Sequence, residues 1–498
     1  MMKIRAKNLV VFFLVFVYLF GITQPPVIKG QEATLVGDQA YWLRLANNAW
    51  NYFQPGVGID STTGLQSSGL GYLLFTDWDL GIYIQAIIAA NQLGILSTDG
   101  PWGADARINK TLTFLQTRQL SLNGVPYVWY QSTSGNPYGL GQQSAADAGE
   151  FLMALNDLRV FRPDLTETIN YIVYNRTNYS PLEQSVDYLT SSTNIYDYYV
   201  ATGFASFWPT RFSTLPNSIL NNIVSAPTVS TYGVELPISI LTCEPLLLSV
   251  FNLPSNAKLN SLADQVYSAH EARYNATTKF TAFTEGNTGP GFVISYVYEW
   301  VIKDDGSTWT IEDAGQGKVD IVPIIYFKAA VGLLAMHNTP FTRNMASTIE
   351  SQLPTPSKGY SDGIDENGRI VTYTTDKNGM IIQAALYAIR KLQNPTPTPI
   401  SSSSPGSSTP TPTFSPLPAG SPTPTSTLSP LVSPTLFPSS STGPFLNNQR
   451  INMYVMVFVA LILLGCASLV IVIGFKRRNA SKSDLVLCMS PARYYYFI

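Results

Sequence analysis

Residues 76–93 read T-D-W-D-L-G-I-Y-I-Q-A-I-I-A-A-N-Q-L. From Trp78 onward, Leu80, Tyr83, Ile84, Ile87 and Ile88 recur at the three- and four-residue spacing of a helix, and Ala86, Ala89 and Ala90 make the remaining faces apolar as well. A helix with no polar face must be enclosed on all sides, so this one is predicted to lie inside the fold. Asp79 stands at its leading edge. The preceding helix is its opposite: Asp38–Phe53 sets Tyr41, Trp42, Leu45, Ala49 and Phe53 against Arg44, Asn47, Asn48 and Asn51. Such one-sidedness marks an outer helix.

The alternation continues along the chain. Ala104–Leu120, Leu165–Tyr174, Pro216–Ser225, Asn256–Arg273 and Phe341–Leu353 read as outer helices. Ser144–Arg159, Ile195–Trp208, Glu244–Phe251, Ile321–Met336 and Gly379–Leu392 read as inner ones. Six such pairs predict an all-α fold, an (α/α)6 toroid of six helical hairpins. One segment, Phe280–Ile311, alternates in strand fashion around Asp305-Gly306 and predicts a small inserted β-hairpin. A carboxylate marks the front of every inner helix: Asp79, Asp147, Asp197, Glu244, Asp320 and Asp376. Inner-helix N-termini share one face of a toroid, so these acids are predicted to line one bowl.

Outside the toroid, residues 38–393, the chain changes character. Residues 1–31 open with a basic stretch and an apolar run, Leu9–Ile22, the pattern of a secretory signal peptide. Residues 394–450 are dominated by Pro, Ser and Thr and read as an extended, disordered stalk. Met453–Phe475 is uncharged and mostly apolar, long enough for a transmembrane helix (453–475), and Lys476, Arg477 and Arg478 follow at once. The expectation is a single-pass protein of the cell membrane, with an extracellular ectodomain and a short cytoplasmic tail, 476–498. Residues 31–395 carry eleven more Asp and Glu than Lys and Arg, which speaks against a nucleic-acid partner and favours a neutral or cationic glycan. Cys243 alone lies in the ectodomain, so no disulfide forms there and a buried, inert thiol is expected.

The remaining chemistry is that of acids and aromatics. His270 and His337 have no metal-ligand spacing, and the chain has neither a phosphate-cradling glycine loop nor a dinucleotide fingerprint, so no metal and no cofactor is expected. Glycosidic cleavage needs a protonated acid, an ionised carboxylate opposite it and aromatic platforms for sugar faces. Glu244 or Glu285 is the expected general acid, with Asp79 or Asp197 as base or sugar-orienting group. Trp78, Asp77, Tyr198, Tyr232, Glu235, Asp362, Asp376 and Asn378 are the expected substrate-binding residues. Each acid also has a local reading: Thr76 and Asp79, for example, have the spacing of a capping box. The competing function is a non-catalytic glycan-binding or structural surface module on a stalk.

These stretches together resemble one family, the domain of unknown function 3131. The resemblance is carried by T-D-W-D-L-G-I-Y, Y-D-Y-Y-V-A-T-G-F-A, Y-G-V-E-L-P, L-T-C-E-P-L-L-L, H-E-A-R-Y-N-A-T-T-K-F-T-A-F-T-E-G, V-D-I-V-P-I-I-Y-F-K-A-A-V-G-L-L, G-Y-S-D-G and T-D-K-N-G-M-I-I-Q-A-A-L-Y, in order from about residue 40 to 392. It implies a six-hairpin, glycoamylase-like toroid that handles glycans, related to hydrolases and transglycosylases of β-1,2-glucan. It singles out Asp79, Asp197, Glu235, Glu244 and Glu285. Where the family commonly has T-x-N-T-N-G, this chain has T-T-D-K-N-G, which places Asp376 and Lys377 in the motif.

Overall fold

The computed structural model describes residues 39–289, 295–314 and 317–393. The signal peptide, stalk, membrane span and tail expected from the sequence lie outside them. Among the described residues no helix is long and apolar enough to cross a membrane.

Six inner helices form a closed ring: α2 (Asp77–Gln92), α4 (Ala145–Phe161), α7 (Ile195–Phe207), α9 (Cys243–Asn252), α11 (Phe327–Met336) and α13 (Asn378–Gln393). Each packs on the next, and α13 packs back on α2. The outer layer is α1 (Gln39–Trp50), α3 (Ala104–Thr117), α5 (Thr166–Asn170) with α6 (Ser180–Asp187), α8 (Leu215–Ser225), α10 (Ala257–Thr277) and α12 (Pro340–Gln352). The first helix, α1, lies on the last, α13, and this contact joins the two ends of the domain. Burial follows the sequence pattern: every residue of α11 is buried, while α1 buries Trp42, Leu45, Ala46, Ala49 and Trp50. Helices α4 and α7 cross closely. Gly149 and Gly203 meet there so closely that a methyl group on Gly203 would overlap the Gly149 carbonyl oxygen.

The toroid is richer in strand than an all-α fold with one hairpin. Among the described residues four antiparallel sheets are present, ordered β1-β2-β3, β4-β5, β6-β7-β8-β9 and β10-β11-β12. The strands are β1 (Leu74–Phe75), β2 (Tyr127–Gln131), β3 (Pro137–Gln142), β4 (Thr228–Thr231), β5 (Val234–Pro237), β6 (Glu285–Asn287), β7 (Tyr296–Ile302), β8 (Thr308–Asp313), β9 (Gly317–Lys318), β10 (Ile324–Tyr326), β11 (Gly363–Asp365) and β12 (Ile370–Val371). All of them fall in connections that run from an outer helix to an inner one. They therefore build up the end of the ring where inner helices begin, whereas the opposite end has short turns such as 337–339. The expected hairpin is part of the β6–β9 sheet, and Asp305-Gly306 does turn it, with Gly306 at φ +78°.

The apolar run from Ile321 divides into two elements. Ile324–Tyr326 pairs with Gly363–Asp365, and helix α11 starts only at Phe327. A fully buried strand and a fully buried helix share the same composition, which explains the misplaced helix start. Asp320 is consequently exposed and several residues short of the helix. The inner helix there carries Lys328 in its first turn instead of an acid.

Candidate active site

At the start of α2, capping and site chemistry share one carboxylate. Thr76 Oγ1 accepts from the Asp79 backbone N–H, and Asp79 Oδ2 accepts from Thr76 N at 2.8 Å, closing a capping box. Ser68 Oγ donates to the same oxygen at 2.8 Å. The other oxygen, Oδ1, faces Lys377 Nζ at 3.5 Å. Asp376, next to that lysine, is 1% exposed, and neither of its oxygens has a hydrogen-bond donor among the described residues. Burial first, and then the Asp79 charge beside it, push its carboxyl well above the usual carboxylate range. The protonated form of the buried Asp376 carboxyl is therefore favoured.

Lys377 ties this corner to the next. Its ammonium lies 3.8 Å from Glu244 and 5.9 Å from the centre of the Trp78 ring. Burial works against its charge, but Asp376, Glu244, Asp79 and Glu285 outweigh it and hold its pKa well above the usual value. Glu244, in the first turn of α9, is fully buried and ion-paired with Lys328 of α11. Glu285 on β6 is 7% exposed. Burial, followed by the Glu244 charge, pushes its carboxyl up to about 7 against the opposing pull of Lys328, Lys377 and Tyr196. A carboxyl in that range holds its proton at mildly acid pH and releases it near neutrality, as a general acid must.

Further groups surround this core. Tyr298 stands opposite Glu285 in the β6–β7 register, and the Glu285 charge, then burial, raises its hydroxyl pKa. Asp362 accepts from Thr375 Oγ1 at 2.7 Å and Asn287 Nδ2 at 3.3 Å; burial lifts it to about 6. Asp147, at the start of α4, is lifted to about 6 by burial and then by Asp79 and Asp77, against its bond to Ser144. Below the mouth, Glu150 of α4 fills the space left by Gly81, with Tyr199 beside it, and burial raises its carboxyl well above the usual range. Among the described residues no three His, Cys, Asp or Glu side chains converge to hold a metal ion.

The structure thus brings together Asp79, Glu244, Glu285, Asp362, Asp376 and Trp78 from the sequence-derived set. Others stand apart. Asp77 is sealed in a bidentate pair with Arg118, at 2.5 and 3.1 Å, both side chains fully buried. Asn378 spends its amide on the backbone: it accepts from Tyr360 N and donates to the Tyr360 and Thr375 carbonyls. Asp197 accepts from Ser192 Oγ at 2.6 Å, five residues upstream. Tyr198 is buried in α7. Glu235 is exposed on β5 and accepts from Thr228. Tyr232, at φ +49° in the β4–β5 turn, packs its exposed ring on Trp309.

Lys328, Glu150, Tyr196 and Tyr298 were not singled out by the sequence reading. A signal existed for two of them: Lys328 and Glu150 are lone charges inside otherwise apolar helical runs, and such a charge is buried only with a partner. Cys243 is buried 3.9 Å from His270 Nε2, and burial raises its thiol pKa.

Solved structures share this architecture. An endo-β-1,2-glucanase from Chitinophaga pinensis, in complex with sophorotriose and glucose, is 13% identical with a TM-score of 0.50, covering 72% of this chain and 94% of that one. An endo-β-1,2-glucanase mutant from Talaromyces funiculosus with β-1,2-glucan is 12% identical with a TM-score of 0.53, covering 73% and 87%. A protein from Bacteroides fragilis, provisionally named a glucoamylase, is 13% identical with a TM-score of 0.50, covering 73% and 94%. At such identities these likenesses establish the fold, a glucoamylase-like toroid. No curated protein sequence matches the chain. The family described as Protein of unknown function (DUF3131) matches residues 44–391, and the chain belongs to it.

Proposed function

We propose that this protein is a glycoside hydrolase or transglycosylase acting on a glucan-like polysaccharide, with Glu285 as general acid and Asp79 as the second carboxylate. The observation that carries the reading is the Glu285 carboxyl, lifted to about 7 by burial beside Glu244, while Lys328 and Lys377 hold the neighbouring acids in ion pairs. Two carboxyls kept in opposite protonation states are what glycosidic cleavage uses. Glu285 gives its proton to the glycosidic oxygen as the C–O bond breaks. Water, or a sugar hydroxyl in transglycosylation, adds to the anomeric carbon and its proton passes to Asp79. Tyr298, half-buried opposite Glu285, supplies ring surface. The β-1,2-glucan bound by the similar folds makes that polymer the first substrate to try.

The place of action belongs to the same proposal. The apolar start, the Pro/Ser/Thr-rich stretch and the span 453–475 with its basic flank support a toroid tethered outside a cell membrane. The test is incubation of the purified protein with β-1,2-, β-1,3- and β-1,4-glucans and detection of new reducing ends or altered chain lengths. Products from at least one of them that disappear in Glu285→Gln are expected; an unchanged product pattern in that variant removes the assignment.

A further inference from the structure

We infer that the outward face of the β1–β2–β3 sheet is a second glycan-binding surface, a platform that holds a neutral polysaccharide chain where it leaves the bowl. The inference rests on the reading of the bowl as a glycan site.

The sheet has two unlike faces. Inward, Phe75 and Tyr130 are fully buried and stack with ring centres 6.1 Å apart, edge-on to Phe114. Outward, where strand alternation on a solvated antiparallel sheet normally places polar side chains, stand aromatics. Trp129 and Tyr138 are direct cross-strand partners and so share that face, and Leu140 follows two residues on. Tyr72 meets Trp129 edge-on at 5.8 Å. Tyr72, Tyr138 and Leu140 are 45, 55 and 90% exposed, so nothing within the described chain covers them. Gly139 and Gly141 alternate with Tyr138 and Leu140 and lie toward the other face, where Gly141 packs against Val128.

Continuity with the bowl identifies the occupant. Tyr72 sits at the tip of a narrow loop closed by Ser68 N donating to the Leu74 carbonyl at 2.8 Å. The hydroxyl of that same Ser68 grips Asp79, so the tip projects directly from the rim of the site. Burial and then the Asp79 charge raise the Tyr72 hydroxyl pKa, as does Tyr138, which places all three within electrostatic reach. Residues 61–76 and 119–146 contain no Asp, Glu, Lys or Arg, so these segments offer no ion pair to a charged partner. At one edge the side-chain amides of Asn123 and Gln142 bond to each other, exposed and available to hydroxyls. Flat ring faces edged by amides match the apolar faces and hydroxyl rims of pyranoses, and an uncharged surface suits a neutral polymer.

The test compares Tyr72→Ala/Tyr138→Ala with Tyr72→Phe/Tyr138→Phe, both replacing exposed side chains and both checked by thermal melting. Retardation in native gels containing soluble β-1,2- or β-1,3-glucan is measured with Glu285→Gln added, and kcat/KM is measured for long chains against trisaccharides. The alanine pair is expected to weaken retardation about tenfold and to lower the long-to-short ratio of kcat/KM about tenfold, and the phenylalanine pair to restore both. A cleaving parent whose length preference is the same in the alanine pair overturns the platform and leaves the active-site reading standing. Platform-dependent retardation without cleavage by the parent does the reverse. No retardation by any glucan overturns the platform. So does loss, in the alanine pair alone, of co-sedimentation with phosphatidylcholine vesicles, because the face would then be a membrane contact.

Discussion

Replacing Glu285 by Gln should make the protein more stable at alkaline pH while removing its activity. In the folded protein the Glu285 carboxyl lies near 7, against 4.5 for an ordinary glutamate. Between those values the native state holds more protons than the unfolded chain, so stability falls as pH rises through that window. At about 1.4 kcal/mol for each tenfold change, the ionised carboxylate costs the fold about 3 kcal/mol once the pH is above 7. Glutamine keeps the shape and cannot ionise. Urea unfolding at pH 5 should place the variant within about 1 kcal/mol of the parent; at pH 8 it should be more stable by about 3 kcal/mol. Turnover should fall by about 10²- to 10⁴-fold, the usual contribution of a general acid. A variant that loses stability between pH 5 and pH 8 as steeply as the parent refutes the reasoning, because the carboxyl would not be the group that titrates.

Other perturbations follow from the same geometry. Arg118→Met strands Asp77 in the core and should cost about 3–5 kcal/mol in thermal or denaturant unfolding, since a buried charge loses its partner; a loss below about 1 kcal/mol shows that Asp77 is solvated. Gly203→Ala sets a methyl group against the Gly149 carbonyl and should destabilise by about 1–3 kcal/mol or prevent folding, measured by melting. Lys377→Gln removes a cation that holds the Glu285 pKa down, so any alkaline limb of activity should move to higher pH while kcat/KM falls.

The toroid was legible because its signal is repeated. Inner helices read as apolar all round and outer ones as one-sided, and these patterns set the order of the twelve elements, although the helix expected from Ile321 starts at Phe327. The strands were less so. Ile324–Tyr326 is short, apolar and continuous with a helix, and β1, β11 and β12 have only two or three residues each, too few to show a period. The acids at the inner-helix starts were visible as a class, but their fates depend on partners distant in sequence. Asp77 and Asp79 are two residues apart, yet one is neutralised by Arg118 and the other faces Lys377. The sequence motif cannot distinguish them, because the deciding residues lie about 40 and 300 positions away. Lys328 was not legible for a related reason, and the motif holding Lys377 gave it no role: lysine ordinarily marks solvent, and only the assembled ring shows both compensating buried carboxylates.

Glu285, packed beside Glu244 in the ring, is expected to hold its proton up to near neutrality. The pH dependence of kcat/KM on a cleaved glucan tests it most directly. The expected profile declines about tenfold per pH unit above pH 7, as Glu285 loses its proton. A profile flat from pH 6 to pH 9, or one whose decline is unchanged in Glu285→Gln, contradicts it.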